Sequence, residues 1–138
     1  MEKVHIDSSK LSLDIEVFDK PTYIYIPLSD KNGNSYQSLV SIGDYVYKGD
    51  RVAVCERIDF PINSSVSGYV KGFDVKFISN GDKCQCIVIS NDYKEKVRKN
   101  RVIGKKKDNY SREDFINDLR DNGIVGLGGS GFPSFIKY

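Results

Sequence analysis

Apolar and more polar side chains alternate along the first two thirds of the chain. Over residues 23–28, isoleucine and leucine alternate with tyrosine, a period of two that is typical of a half-buried β-strand. Residues 1–20 alternate more weakly and predict an edge strand or an ordered arm. Residues 30–34 have the composition of a turn, in which Gly33 can adopt a positive φ. The pattern predicts a mainly β region.

Two Gly-Asp pairs lie six residues apart, at Gly43-Asp44 and Gly49-Asp50, and each predicts a tight turn beside a strand. The strands that follow these turns are expected to place three valines on one inward face: Val46, Val52 and Val54. Further along, Gly68 lies inside a β-like run and indicates a bulge or a close approach of another backbone.

A basic segment follows the β region. Between Lys94 and Lys107 there are eight basic residues and one acidic residue, a net charge of +7. A solvated linker is the bland interpretation, and a contact with RNA, anionic lipid or an acidic partner is the sharper one. Because no aromatic stacking platform interleaves the run, we expect no nucleic-acid partner.

A short helix should follow the linker. Ser111 and Asp114 form a near capping box, and Asn122-Gly123 is a left-handed stop, so the helix should run from about residue 112 to 121. Three apolar side chains share one face of this amphipathic helix: Phe115, Ile116 and Leu119.

The last fifteen residues contain the most specific motif. Residues 126–131 formally match the G-x-G-x-x-G dinucleotide fingerprint, although the long preceding strand is missing and the match alone is weak. Four glycines in six residues let a bulky anion approach backbone N–H groups. Pro133 is placed to begin a helix, and Lys137 could reach back to a phosphate. A flexible glycine turn between two helices is the alternative.

Other chemistries find little support. Three cysteines and one histidine are too few for a zinc site or an iron–sulfur cluster, so no metal ligands are assigned. Cys84 and Cys86 would share one face of a strand as buried, inert thiols. No residue is a convincing general base or nucleophile, so no catalytic residue is assigned. The sequence lacks a signal-peptide pattern and an apolar run of about 20 residues, which favours a cytoplasmic location.

The β region, residues 21–92, resembles the biotinyl/lipoyl-type barrel-sandwich hybrid. The likeness rests on Gly-Asp-x-Val-x-Lys-Gly-Asp at residues 43–50 and Ser-Gly-x-Val at residues 67–70. In carrier members of that family the hairpin tip presents a lysine that is modified. Residues 55–62 contain no lysine, which disfavours a carrier role.

Residues 123–134 are similar to the flavin loop shared by the NADH-binding FMN subunit of complex I and the RnfC proteins, the C subunits of Rnf complexes. Relatives of that family include cobalamin reductases and proline-reductase-associated electron-transfer proteins. The resemblance implies that five residues contact FMN and its phosphate: Gly126, Gly128, Gly129, Gly131 and Lys137. Leu127 replaces the arginine of complex I, as is usual in the Rnf-like branch.

The resemblance implies three parts: a barrel-sandwich domain (1–93), a basic linker (94–110), and a helix with the glycine-rich loop (111–138) that begins a truncated α/β flavin-binding domain. The parent protein would be an NADH-linked oxidoreductase subunit that passes electrons through FMN to [4Fe-4S] clusters encoded further along. It would bind other subunits of an electron-transfer complex and associate with the membrane through them. This segment alone would hold no tightly bound cofactor. The alternative is a non-catalytic β module that docks onto another protein of the complex.

Overall fold

The computed structural model describes residues 20–78, 80–99, 110–127 and 131–138. The edge strand predicted over residues 1–20 lies outside these ranges except for Lys20. Among the described residues, no helix is long and apolar enough to cross a membrane.

The described part of the chain contains seven strands in two antiparallel sheets. Their bounds are β1 (Tyr23–Pro27), β2 (Gln37–Ser38), β3 (Tyr45–Val46), β4 (Arg51–Cys55), β5 (Phe60–Asn63), β6 (Gly68–Phe77) and β7 (Lys83–Asn91). One sheet has the order β1-β7-β6-β3 and the other has the order β2-β4-β5. One α-helix, α1 (Arg112–Asp121), and a 3₁₀ turn (Ser134–Lys137) follow.

The core lies between the two sheets and follows the predicted alternation in β1. Ile24 pairs with Ile89 of β7, which pairs with Val70 of β6, so these side chains face the same way across three strands. Ile26 and Ile89 are 5% and 0% exposed. Full burial of such aliphatic side chains stabilises the fold by roughly 1.5–3 kcal/mol each.

The predicted inward face of three valines is confirmed for Val46 and Val52 and is wrong for Val54. Val46 and Val52 are buried in the core, whereas Val54 is only half-buried. The register of β4 against β5 shifts between Arg51 and Ala53. This irregularity buries Ala53 beside Val52 and thereby turns the next valine to the other face.

Both Gly-Asp pairs form the same turn, as predicted. Asp44 accepts a hydrogen bond from the N–H of Ser41 (2.8 Å), and Asp50 accepts one from the N–H of Tyr47 (3.0 Å). Each aspartate also donates its own N–H to the carbonyl of the same residue. The preceding glycines have φ values of +94° and +89°, which residues with a side chain rarely adopt.

Residues 94–99, which the sequence assigns to the basic linker, are bound to the β domain. The Lys96 N–H donates to the buried Ser67 hydroxyl (2.9 Å), and the Lys96 carbonyl accepts from the Lys48 N–H (2.8 Å). The Arg98 guanidinium makes a bidentate pair with Asp50 (2.7 and 2.9 Å). The contacts of the β domain therefore extend at least to Arg98, beyond residue 93.

Helix α1 begins and ends where the sequence predicts. Ser111 and Asp114 form a complete capping box, and Gly123, with φ +65°, follows the last turn. The predicted apolar face is only partly covered: Ile116 and Leu119 are half-buried, and Phe115 is 39% exposed. The helix thus packs loosely along one side.

Candidate cofactor site at the glycine-rich loop

The segment that carries the glycine-rich loop is packed against the second sheet. The ring of Phe135 stacks on Phe60 of β5, with centroids 5.8 Å apart and planes 21° apart. Asp121 at the end of α1 forms an ion pair with Arg51 of β4 (2.9 Å). A Cβ on Gly123 would lie 3.0 Å from the Pro61 carbonyl oxygen, so the backbones meet closely here. The loop is therefore positioned by the β domain.

Two backbone hydrogen bonds close the base of the loop. The Gly126 N–H donates to the Phe132 carbonyl (3.0 Å), and the Ser134 N–H donates to the Ile124 carbonyl (2.9 Å). Val125 and Pro133 form an antiparallel bridge between these bonds. Between the paired ends, Leu127 is 97% exposed, so the loop projects outward from a fixed base.

The predicted glycines have different places in this loop. Gly126 closes the base, because its N–H already donates to Phe132, and what it offers a ligand is the absence of a side chain. Gly131 adopts φ +61°, a left-handed conformation that favours glycine. Gly128 and Gly129 lie outside the described residues.

Lys137 lies beside the loop, but the element that carries it differs from the prediction. Its ammonium group is 5.7 Å from the centroid of the Phe132 ring, within cation–π range. Pro133 does not begin an α-helix; it precedes a four-residue 3₁₀ turn with φ −59° and ψ 122°. So short a turn adds little helix dipole, since the dipole needs many aligned peptide units. The positive charge near the loop comes from side chains.

Sequence reasoning missed one cation that the fold brings to the loop. The Cε atom of Lys31, in the turn after β1, is 3.9 Å from the position that a Cβ on Gly131 would occupy. The two residues are far apart in the chain, and no local pattern connects them. The docking of the C-terminal segment creates this contact.

The cysteines and the hairpin tip lie where they were predicted. Cys55, Cys84 and Cys86 are buried and free, and burial raises the pKa of the Cys86 thiol. No group of histidine, cysteine, aspartate or glutamate suited to a metal ion occurs among the described residues. The tip between β4 and β5, residues 56–59, has no lysine.

The two-sheet architecture has a counterpart in a known family. Residues 3–94 match the family model described as the RnfC barrel sandwich hybrid domain. The chain belongs to this family. The predicted mainly β barrel-sandwich fold and the predicted likeness to RnfC proteins are both confirmed.

Curated relatives, all of them C subunits of oxidoreductase complexes, extend the similarity past the β domain. The chain is 30% identical to that of the proton-translocating ferredoxin:NAD(+) oxidoreductase complex of Clostridium ljungdahlii, over 97% of this chain and 30% of that protein. It is 29% identical to that of the Na(+)-translocating ferredoxin:NAD(+) oxidoreductase complex of Acetobacterium woodii, over 86% of this chain and 27% of that protein. The counterpart in the ion-translocating oxidoreductase complex of Pasteurella multocida is 28% identical over 83% of this chain and 14% of that protein. The chain thus spans less than a third of the length of these relatives.

Proposed function

We propose that the chain is the N-terminal part of an electron-transfer subunit that passes electrons from NADH, through FMN and [4Fe-4S] clusters, to an acceptor. Within it, the glycine-rich loop binds the phosphate of FMN. The observation that carries the proposal is the projecting loop with a hydrogen-bonded base and Lys137 beside it. The names of the relatives, subunits of ferredoxin:NAD(+) oxidoreductase complexes, support the electron-transfer part.

The described residues fit a phosphate group in two respects. The loop presents backbone with few side chains, which allows a bulky anion to approach its N–H groups. Lys137 supplies a positive charge beside Phe132. Bound FMN would supply the redox chemistry, and the residues of this chain would hold its phosphate and orient it.

The proposal also includes the surroundings of the parent subunit. NADH and the clusters would bind outside this chain, in the remainder of a flavin-binding domain and in later domains. The subunit would act at the cytoplasmic face of the membrane, held there by partner subunits. An anion site of one loop and one or two lysines is small, so the isolated chain should bind FMN weakly.

A chimeric protein tests the proposal. This chain would replace the aligned segment of the Clostridium ljungdahlii relative, and the assembled complex would be assayed for flavin content and ferredoxin:NAD(+) oxidoreductase activity. We expect the chimera to retain both, and a Gly131→Val chimera to lose flavin, because a branched side chain cannot easily adopt φ +61°. The matched control is Gly33→Val, which places the same side chain at φ +77° in a turn outside the loop. An assembled Gly131→Val complex with full flavin content would refute a role for this loop.

One observation favours the second candidate function, a docking module without a cofactor. Phe73, Val75 and Phe77 alternate along β6 and therefore lie on one face of the strand. They are 38%, 56% and 72% exposed, an apolar row that another protein of the complex could cover. Under this alternative, charged substitutions in the row would prevent assembly of the chimera, and Gly131→Val would change neither assembly nor flavin content.

A further inference from the structure

The turn that carries Lys31 is tightly organised. Asp30 accepts hydrogen bonds from the N–H groups of Asn32 and Asn34, both at 2.9 Å, and from the Asn34 side-chain amide at 2.7 Å. Asn34 is itself buried, and Gly33 completes the turn with φ +77°. The backbone of Lys31 is therefore held in place, and its side chain extends from a fixed point.

From that point the side chain of Lys31 reaches the loop. Its Cε atom lies 3.9 Å from the Cβ position of Gly131. Gly131 directly precedes Phe132, whose ring lies 5.7 Å from the ammonium of Lys137. Lysines from two distant parts of the chain thus flank the same two residues of the loop.

The charge of Asp30 offsets little of this positive charge at the loop. Both of its carboxylate oxygens accept hydrogen bonds within the turn, from Asn32, Asn34 and the Tyr36 hydroxyl. The ammonium of Lys31 is on a long, exposed side chain directed to Gly131 instead. A phosphate with two negative charges would gain from two cations, one on each lysine.

We propose that Lys31 is a second cationic ligand of the anion at the glycine-rich loop, so that the barrel-sandwich domain contributes directly to the cofactor site. This inference rests on the proposed function of the loop. It gives the docking of the C-terminal segment on β4 and β5 a functional consequence, because that docking brings Gly131 to Lys31. The domain is then part of the binding site as well as a scaffold.

The test is a titration of the ¹⁵N-labelled chain with inorganic phosphate at low ionic strength, following the amide signals of Gly131 and Phe132. Lys31→Gln removes the charge and keeps most of the aliphatic stem. We expect it to weaken phosphate binding by about three-fold, the range of a partly exposed ion pair, and we expect added salt to reduce the difference. Lys71→Gln, at an exposed lysine of β6, is the matched control and should bind as the unaltered chain does.

A second variant separates contact from fold. In a Phe135→Ala background, which removes the stacking on Phe60, Lys31→Gln should have no further effect on phosphate binding. Lys31→Gln that binds phosphate like the unaltered chain, while Lys137→Gln binds more weakly, would overturn the role of Lys31 and leave the loop's function intact. Phosphate that shifts neither signal in the unaltered chain would overturn both.

Discussion

Replacing Gly68 by alanine should severely destabilise the β domain. Gly68 pairs with Val46 of β3 and Asn91 of β7. A Cβ at this position would lie 1.9 Å from the Ser90 carbonyl oxygen and 2.9 Å from its carbon. Real Cβ atoms essentially never approach a neighbour closer than 3.0 Å, so β6 and β7 would have to separate by about an ångström.

The same strand provides the control. Gly72 has φ +156°, almost equal to the +158° of Gly68, but a Cβ there would meet no atom within 4 Å. The cost of the backbone conformation is therefore shared by the two alanine variants, and their difference isolates the collision. Overpacking of a filled site typically costs about 1–3 kcal/mol, and the size of this overlap favours the upper value.

Thermal and urea unfolding of the two variants measure the difference. At about 4–8 °C per kcal/mol for a domain of this size, a 3 kcal/mol difference lowers the Tm of Gly68→Ala by roughly 12–24 °C relative to Gly72→Ala. If the two variants unfold within about 1 kcal/mol of each other, below the usual range for overpacking, the inferred close approach of β6 to β7 is wrong.

Three further substitutions test other parts of the fold. Ser111→Ala removes the helix cap and should destabilise α1 by about 1 kcal/mol, seen as faster hydrogen exchange of its amides; unchanged exchange would rule out the cap. Hydrogen bonds from Tyr45 and then Ser67 lower the pKa of the Asp92 carboxyl to about 2. Stability from Asp92 should therefore be present above about pH 4 and decline as the pH falls towards about 2, and urea unfolding of Asp92→Asn should show a flatter profile there, a steeper one being inconsistent. Phe135→Ala should speed exchange throughout α1 while strands β6 and β7 stay protected, and equal protection of α1 would show that the stack with Phe60 is dispensable.

Local chemistry explains why much of the fold was predictable. The alternation in β1, the two Gly-Asp turns and both ends of α1 are each determined by residues within a few positions of one another. Ser111 needs only Asp114 to complete its box, and Asp50 needs only Tyr47 to close its turn. Such features depend on short-range hydrogen bonds that the sequence displays directly.

The features that sequence reasoning missed depend on contacts between distant residues. The irregularity in β4 that turns Val54 away from the core arises from its register with β5. Residues 94–99 have the composition of a solvated basic linker, yet Arg98 pairs with Asp50 across 48 positions. The approach of Lys31 to Gly131 requires the C-terminal segment to dock on a sheet formed in another part of the chain. No periodicity or motif encodes these pairings.

The central claim is that the glycine-rich loop holds the phosphate of a flavin. It is tested most directly by titrating the ¹⁵N-labelled chain with FMN and, in parallel, with riboflavin, which has the same ring system and no phosphate. FMN should shift the amide signals of residues 124–127 and 131–132 in a saturable, weak manner, and riboflavin should leave them in place. Shifts of equal size with riboflavin, or none with FMN, would contradict the account.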